Sequence, residues 1–305
     1  MNTKKHTAPL GHLYAFLTIL IWGTTFISTK ILLRSFTPIE ILFIRFFIGF
    51  CALLLFYPHK LKVTDRRQEL LFIAAGISGI TLYFLLENIA LTYTSASNVG
   101  IIVTIAPFFT ALLSGWFLKS EKPKFQFYIG FLAAIAGIIL ISYSGSSTLK
   151  LNPAGDLLAI SAAAAWAVYS ILTRKISQLG YHTLLTTRRI FFYGLLFMLP
   201  IVFYTDVDFS VKKLTSFINL GNILFLGLIA SALCFVTWNT AVRILGAVKT
   251  SVYIYLVPVV TVAFSVLILH EPLTPVLMVG AILTLTGLWL SETKVFERKK
   301  HPSNK

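Results

Sequence analysis

Ten apolar segments of membrane-spanning length lie along the chain, and they constrain its fold more than any other feature. A helix needs about 20 apolar residues to cross the hydrocarbon core of a bilayer. The alternating pattern of barrel strands is absent, so each segment is predicted to cross as a helix, which satisfies its own backbone hydrogen bonds. The segments are residues 12–32, 38–57, 70–92, 97–118, 125–143, 155–173, 183–204, 219–241, 248–269 and 275–291.

The composition excludes a soluble globular fold. The chain is 57% hydrophobic and 12% charged, whereas about 25% of the residues of a typical soluble domain are charged. So few polar residues cannot cover the surface of a protein of this length in water. The sequence therefore predicts an all-α integral membrane protein with ten transmembrane helices.

The distribution of basic residues predicts the orientation of these helices. Of the 26 lysines and arginines, 18 lie on the side that includes both termini, five lie on the opposite side, and three lie inside or near segments. Because basic residues are retained in the cytoplasm, residues 1–11 and the basic tail 292–305 are both predicted to be cytoplasmic. We expect a multi-pass protein of the plasma membrane, with the bacterial inner membrane as its location.

The net charge of +15 is scattered among short loops rather than gathered on one domain. Such a distribution favours contact with membrane lipid headgroups over binding of nucleic acid. The predicted partners are therefore membrane lipids and a small-molecule substrate, with no nucleic acid.

The second half of the chain repeats the first. The repeats are predicted to span residues 12–143 and 155–291, joined by an external linker at 144–154. Five helices bring the chain to the opposite side of the membrane, so the second repeat must be inverted, and inverted repeats are typical of alternating-access transporters. The matching pairs are Trp22 and Trp166, Arg45 and Arg189, Asn88 and Asn239, and Pro107 and Pro258.

Three stretches carry a resemblance to a known family: AFLTILIWGTTFISTK, ENIALTYTSASNVGIIVTIAPFFTALLSGWFLKSE and AVRILGAVKTSVYIYLVPVVTVAFSVLILHEPLTPVLMVGAILTLTGLWL. Together with the arginine of the second segment, they resemble the ten-helix EamA-type branch of the drug/metabolite transporter superfamily. The resemblance implies a central cavity between the halves, with the fifth and tenth helices at the periphery. It also implies transport of small metabolites, frequently export of amino acids.

Arg45 and Arg189 occupy equivalent places in the second and seventh segments. An unpaired arginine at membrane depth costs about 2.5–3.5 kcal/mol on insertion scales, so each should face protein or a water-filled cavity. Either the guanidinium ties neighbouring helices together, or it binds a carboxylate or phosphate of the substrate. The sequence leaves both roles open.

Glu87 is the one acid well within a predicted segment, and its repeat partner is Trp238. A lone buried carboxyl group that breaks the repeat is a candidate for proton coupling or for binding a substrate amine. A salt bridge to Arg45 is the alternative. Pro107 and Pro258 lie near the middle of their segments, where each is predicted to break the helix, as the helices of a midplane binding site often are.

The candidate substrate cavity combines these polar residues with aromatic side chains that lie far from the predicted interfaces. The aromatic rings offer stacking area to an apolar group or a cation, although shape alone also explains aromatic packing. The asparagines serve either as interhelical hydrogen-bond partners or as ligand contacts. The candidate residues are Trp22, Thr25, Arg45, Tyr83, Glu87, Asn88, Trp166, Tyr169, Arg189, Trp238, Asn239 and Tyr253.

Catalytic motifs and cofactor-binding motifs are absent from the sequence. The six histidines lie outside the segments or at their ends, and no HExxH or GxxxxGK[ST] motif occurs, so we predict no enzyme activity, no metal, no cofactor and no ATP hydrolysis. The predicted function is a secondary transporter that exports amino acids or related polar metabolites. An organic-cation or drug efflux carrier of the same fold is the alternative.

Two further features concern packing. Thr37 and Glu40 flank Pro38 as in a capping box, and Thr274 with Pro275 predicts another helix start. Small residues spaced four apart in the fifth and tenth segments predict close helix packing there, with a homodimer through these segments left open.

Overall fold

The structure, a computed structural model, describes residues 3–118, 153–205, 207, 211–270 and 272–292, together with 129, 130, 132, 133, 135–137 and 140. Within these residues the chain is helical, and eight helices are long and apolar enough to cross a membrane. A four-residue helix, Val211–Leu214, precedes the seventh long helix. The main helices are α1 (Thr3–Leu32), α2 (Pro38–Phe56), α3 (Arg66–Tyr93), α4 (Ala96–Phe117), α5 (Pro153–Gln178), α6 (Thr183–Tyr204), α7 (Phe217–Leu245), α8 (Ala247–Leu269) and α9 (Pro275–Glu292).

The helices confirm the predicted membrane-spanning segments wherever the structure describes them. Helices α1 to α8 coincide with eight segments, and α9 covers the last, with a shorter apolar stretch at Pro275–Gly287. Helix α1 begins at Thr3, earlier than the predicted start at residue 12. The predicted fifth segment lies largely outside the described residues, and the residues described there are helical. The predicted linker up to residue 152 and the tail from 293 also lie outside the described residues.

The helix starts read from the sequence are confirmed. At the start of α2, the Thr37 backbone nitrogen donates to Glu40 Oε2 over 2.8 Å, and Thr37 Oγ1 accepts from the Glu40 backbone nitrogen over 3.4 Å. This reciprocal pair is a complete capping box. At the start of α9, the Leu277 backbone nitrogen donates to Thr274 Oγ1 over 3.2 Å.

The two repeats interlock through their first helices. Helix α1 packs against α7 and α8 of the second repeat, and α5, which corresponds to α1, packs against α3 and α4 of the first. In the same way α2 packs against α7, and α6 packs against α3. Each repeat therefore buries its apolar faces mainly against the other, which places the middle of the molecule at the junction of the repeats.

Equivalent glycines allow the closest of these helix contacts. A Cβ atom on Gly76 of α3 would lie 2.8 Å from the backbone nitrogen of Gly194 in α6. A Cβ atom on Gly227, its equivalent in α7, would lie 2.7 Å from the Ile48 side chain of α2. Small residues that let helix backbones approach are a general device of membrane helix packing.

In each repeat, a basic side chain of the first helix binds carbonyl groups at the end of the third helix. Lys30 Nζ donates to the carbonyl oxygens of Leu91 and Thr94, over 2.5 and 2.7 Å. Arg174, the repeat equivalent of Lys30, donates through Nη1 to the Val242 carbonyl over 3.3 Å. Cations that bind the last carbonyls of a helix satisfy acceptors that have no intrahelical donor.

Helix irregularities recur at equivalent positions in the two repeats. Helix α3 contains a π-helical segment at Ile77–Leu82, and α7 contains one at Phe225–Leu233, which includes the equivalent positions at a spacing of 151. Helices α4 and α8 change to 3₁₀ geometry at Val103–Ile105 and Val252–Leu256, immediately before the turns that carry Pro107 and Pro258. π-helical segments are rare and are frequent at functional sites.

The small residues of the predicted fifth and tenth segments contact each other within one chain. A Cβ atom on Gly137 would lie 2.6 Å from the carbonyl oxygen of Gly280 in α9. The close packing expected of these residues is therefore used inside the chain. The homodimer through these segments stays a prediction.

The glycine contacts give a prediction about stability. We expect Gly76→Ala to lower stability by about 1–3 kcal/mol, because the new methyl group meets backbone atoms of α6 that cannot move aside. Gly221→Ala in α7 is the matched control, since nothing lies within 4 Å of a Cβ atom there and alanine favours a helix over glycine. Thermal unfolding of the detergent-solubilised variants measures both. An unchanged midpoint for Gly76→Ala would contradict the close approach of α3 and α6.

Candidate functional site

A central cavity lies where the two repeats meet. Its walls come from α1, α3, α4, α5 and α8. Five of the candidate residues line it, namely Trp22, Thr25, Tyr83, Glu87 and Trp166. The other lining residues are Ile19, Phe26, Phe84, Val103, Ala106, Ile254 and Val257.

The repeat-related tryptophans meet edge to face at this cavity. The ring centroids of Trp22 and Trp166 lie 5.2 Å apart with an interplanar angle of 86°, a favourable geometry for aromatic pairs. Trp22 Nε1 donates to the Ala230 carbonyl over 2.9 Å. Trp166 Nε1 is buried and has no hydrogen-bond partner among the described residues. Trp238 contacts both rings, at 5.1 and 6.0 Å, without lining the cavity.

The helix breaks bring equivalent residues of α4 and α8 to the cavity wall. Val103 and Ile254 correspond at a spacing of 151, as do Ala106 and Val257, and all four line the cavity. They lie in the 3₁₀ turns or just after them, next to the two prolines. The prolines were predicted from the sequence but these neighbours were not, although a proline removes the helical hydrogen bond of the carbonyl four residues before it, at Val103 or Ile254.

Glu87 supplies the charged group of the cavity wall. Its side chain is 1% exposed, and its Oε2 atom has no hydrogen-bond partner among the described residues. Tyr83, one helical turn earlier, interacts with the carboxyl group. Within the described part of the chain, Glu87 forms no ion pair with Arg45, so the salt bridge considered from the sequence is not formed.

Arg45 lies behind the cavity wall rather than in it. Its side chain is fully buried, and Nε donates to Ser231 Oγ over 3.1 Å. The guanidinium carbon lies 4.5 Å from the ring centroid of Phe84, which lines the cavity. Phe84 was not among the candidate residues, yet it corresponds to Phe235 at the repeat spacing of 151 and lies three residues before Glu87. The repeat equivalence and the short spacing to Glu87 together could have identified Phe84 from the sequence.

Arg189 belongs to a separate cluster at one end of the bundle. It forms a two-bond ion pair with the carboxylate of Glu69 at the start of α3, and Tyr193 Oη donates to Glu69 Oε2 over 2.8 Å. Arg188 donates to the carbonyl oxygens of Tyr57 and His59. Arg189 is therefore not brought to the cavity, and it ties α6 to α3.

A hydrogen-bonded chain lies next to the cavity on the side of the second repeat. Tyr169 Oη donates to Asn239 Oδ1 over 2.9 Å, and Asn239 Nδ2 donates to Thr187 Oγ1 over 3.0 Å. Tyr169 follows Trp166 on α5, and Thr173 follows one turn later. Thr173 and Asn239 line a second, smaller cavity rich in hydroxyl groups. Tyr169 thus lies on α5 between Trp166 at the central cavity and Thr173 at the second cavity, and it donates to Asn239 of α7.

The remaining candidates serve local contacts. Asn88 Nδ2 donates to the Pro38 carbonyl over 3.1 Å, which ties α3 to the start of α2. Tyr253 Oη lies 2.7 Å from Nδ1 of His12, so Tyr253 is not brought to the central cavity. Thr25 lines the cavity while its hydroxyl donates to the Trp22 carbonyl. No group of three potential metal ligands occurs among the described residues.

Comparison with known proteins assigns the family. The family model described as the EamA-like transporter family matches residues 9–143 and 153–293, one match over each repeat. The chain belongs to the EamA-like transporter family. It is accordingly a multi-pass membrane transporter of the drug/metabolite superfamily, built from two inverted repeats, which confirms the family expected from the sequence.

Relatives of this EamA-like transporter cover nearly its whole length. An uncharacterized transporter of Archaeoglobus fulgidus is 29% identical over 96% of this chain and 99% of that protein. The uncharacterized transporter YyaM of Bacillus subtilis is 29% identical over 87% and 88%. A probable terminal-alkyne amino-acid exporter of Streptantibioticus cattleyicolor is 26% identical over 94% and 95%. A crystal structure that shares 19% identity matches 95% of this chain with a TM-score of 0.66, which shows the shared fold.

The Arg189 cluster of this EamA-like transporter gives a prediction about coupling. We expect Glu69→Gln and Arg189→Met each to lower stability, with a coupling free energy of about 1 kcal/mol, modest because both side chains are partly exposed. A double-mutant cycle in thermal or denaturant unfolding measures it. Strictly additive effects of the two substitutions would show that the ion pair contributes nothing.

Proposed function

We propose that this transporter exports small metabolites that carry an ammonium group, with amino acids and related compounds foremost. The observation that carries the proposal is the unpartnered Oε2 atom of Glu87 in a cavity of aromatic rings at the junction of the repeats. A carboxylate in such a place attracts a cation, and the rings of Trp22 and Trp166 offer it further favourable faces.

The polarity of the cavity wall supports an ammonium group as the recognised part of the substrate. Glu87 is the one charged residue among the lining residues, and the guanidinium of Arg45 lies behind Phe84. Burying a lone carboxylate is costly unless a cation or a proton joins it. A substrate ammonium that replaces this missing partner therefore gains a strong, charge-assisted contact.

The family and one relative support export of amino compounds. The EamA-like family consists of transporters, and the relative from Streptantibioticus cattleyicolor is named a probable amino-acid exporter. Two inverted repeats that bury their faces against each other supply two similar packings, which is the basis of alternating access. The sequence contains no GxxxxGK[ST] motif, so a gradient or exchange is proposed as the driving force.

An organic-cation or drug efflux carrier is the second candidate function. It is favoured by the same aromatic cavity, because five aromatic side chains and one carboxylate also suit a cation without a carboxylate. The two candidates differ in whether the substrate carries a negative group besides its positive one.

We also propose that the protein lies in the plasma membrane of a bacterial cell with both termini in the cytoplasm. The excess of lysine and arginine on the side of the termini supports this orientation. In that orientation Glu87 lies in the outer half of α3, and the Arg189 cluster lies at the cytoplasmic end.

The proposed export is tested by the composition of the culture medium. We expect host cells that overproduce the protein to accumulate one or a few amino compounds in the medium, relative to cells with an empty vector. Mass spectrometry of both media measures the difference. An unchanged medium, with the protein confirmed in the membrane, would contradict metabolite export and favour drug efflux, which resistance of the same cells to cationic drugs would then reveal.

The role of Glu87 gives a second prediction. We expect Glu87→Gln to fold but to export the identified compound at least about tenfold more slowly, because the amide lacks the charge that holds the ammonium group. Glu69→Gln is the matched control: it makes the same change on the same helix, away from the cavity, and should retain export per folded molecule. Export by Glu87→Gln at the wild-type rate at every pH would remove Glu87 from both substrate binding and proton coupling.

A further inference from the structure

Arg45 has far fewer hydrogen bonds than its chemistry allows. A guanidinium carries five N–H donors and no acceptor. Only Nε is engaged, with Ser231 Oγ, and neither Nη1 nor Nη2 has a hydrogen-bond partner among the described residues, although the side chain is fully buried. Burying a charged group with its donors unpaired is costly. Among the described residues no carboxylate is hydrogen-bonded to Arg45, and Glu87 acts on it only electrostatically, without forming an ion pair.

The repeat provides an internal comparison, because Arg189 occupies the equivalent position. Arg189 binds the carboxylate of Glu69 with both sides of its fork, and Tyr193 binds the same carboxylate. The first-repeat arginine has neither partner: Leu220 corresponds to Glu69, and Gly49 corresponds to Tyr193. A purely structural arginine would be expected to be satisfied as Arg189 is. Arg45 therefore differs from Arg189 in that no described carboxylate is hydrogen-bonded to it.

Phe84 joins Arg45 to the central cavity. Its ring centroid lies 4.5 Å from the guanidinium carbon of Arg45, and its side chain lines the cavity that also contains Glu87. Phe84 and Glu87 are three residues apart on α3, so they lie on neighbouring parts of one helix face. Phe46 contacts the guanidinium too, at 5.2 Å, and does not line the cavity. Phe84 therefore contacts the guanidinium on one side and lines the cavity on the other.

We infer that Arg45 binds the carboxylate of a zwitterionic substrate whose ammonium group binds Glu87, and that Phe84 controls access to the guanidinium. This inference rests on the proposed function and narrows it to amino acids as against simple amines. Arg45 forms two parallel hydrogen bonds with the carboxylate when the Phe84 ring turns aside, as Arg189 does with Glu69. Arg45 thereby distinguishes substrates that carry a carboxylate from those that do not, and Phe84 governs how readily they reach it.

The test compares binding of matched ligands to the purified, detergent-solubilised protein. Each of the common amino acids is offered beside the amine that remains when its carboxylate is removed. The shift of the unfolding midpoint identifies binders, and calorimetric titration gives their dissociation constants. We expect amino acids to bind at least about tenfold more tightly than their amines, because a charge-assisted pair of hydrogen bonds is lost with the carboxylate.

Substitutions test which residues cause the preference for amino acids over amines. We expect Arg45→Met to bind amino acids no more tightly than amines, and Arg45→Lys, which retains the charge and protects folding, to lose most of the preference because it lacks the fork. Phe84→Leu should retain the preference and bind amino acids faster, since a smaller side chain covers the guanidinium. Arg189→Met is the matched control, and it should retain the preference despite lower stability.

The outcomes separate the inference from the proposed function. Equal affinity for amino acids and amines in the wild type, with both lost in Glu87→Gln, would overturn the inference and leave the proposed ammonium site intact. A preference for amino acids that persists in Arg45→Met and Arg45→Lys would also overturn it. Binding of neither ligand class would contradict the proposed function itself, and the inference with it.

Discussion

A polar group buried in a membrane protein must find its partner inside the protein, because lipid offers none, and this constraint governs how the two repeats are held together. Lys30 and Arg174 satisfy carbonyl groups at the ends of α3 and α7. Asn88 and Asn239 bind a carbonyl and two side chains on neighbouring helices. The lysine and arginine contacts are duplicated with the repeat and hold the ends of α3 and α7, whereas the equivalent asparagines bind different partners. Among the buried polar atoms that have no hydrogen-bond partner in the described residues, those of Glu87 and Trp166 belong to residues that line the central cavity, and those of Arg45 lie behind its wall.

The interlocked packing of the repeats explains why such a scaffold can work as a transporter. Each first helix packs against the opposite repeat, so one repeat cannot move without changing the contacts of the other. The close glycine contacts at Gly76 and Gly227 are related by the repeat and face opposite halves of the molecule. Inverted repeats of this kind offer in general two packings of similar energy, and a ligand shifts the balance between them only by binding one more tightly.

Hydropathy and self-similarity predicted the helices, the repeat and the family, since these depend on the spacing of apolar residues and on residue identity. The capping box at Thr37 and Glu40 was predictable because it is local. The cavity wall was only partly predictable. The π-helical segment at Ile77–Leu82 adds residues to one turn of α3 and so changes which residues downstream face the cavity, and a regular helical period does not foresee this. Phe84 was missed although its repeat equivalent Phe235 and its position three residues before Glu87 pointed to it, and Tyr253 was included although it contacts His12.

The chemistry of the cavity arises where the repeats differ. Part of its apolar wall is symmetric, because Val103 corresponds to Ile254, Ala106 corresponds to Val257, and Trp22 meets its equivalent Trp166. A symmetric wall suits a molecule that opens to two sides, but it cannot orient a substrate whose two ends carry opposite charge. Glu87 corresponds to Trp238, and Leu220 occupies the position equivalent to Glu69, the carboxylate that binds Arg189. Duplication therefore supplied the scaffold, and the residues that departed from it supplied a cavity with a negative side chain on its wall and a positive one behind it.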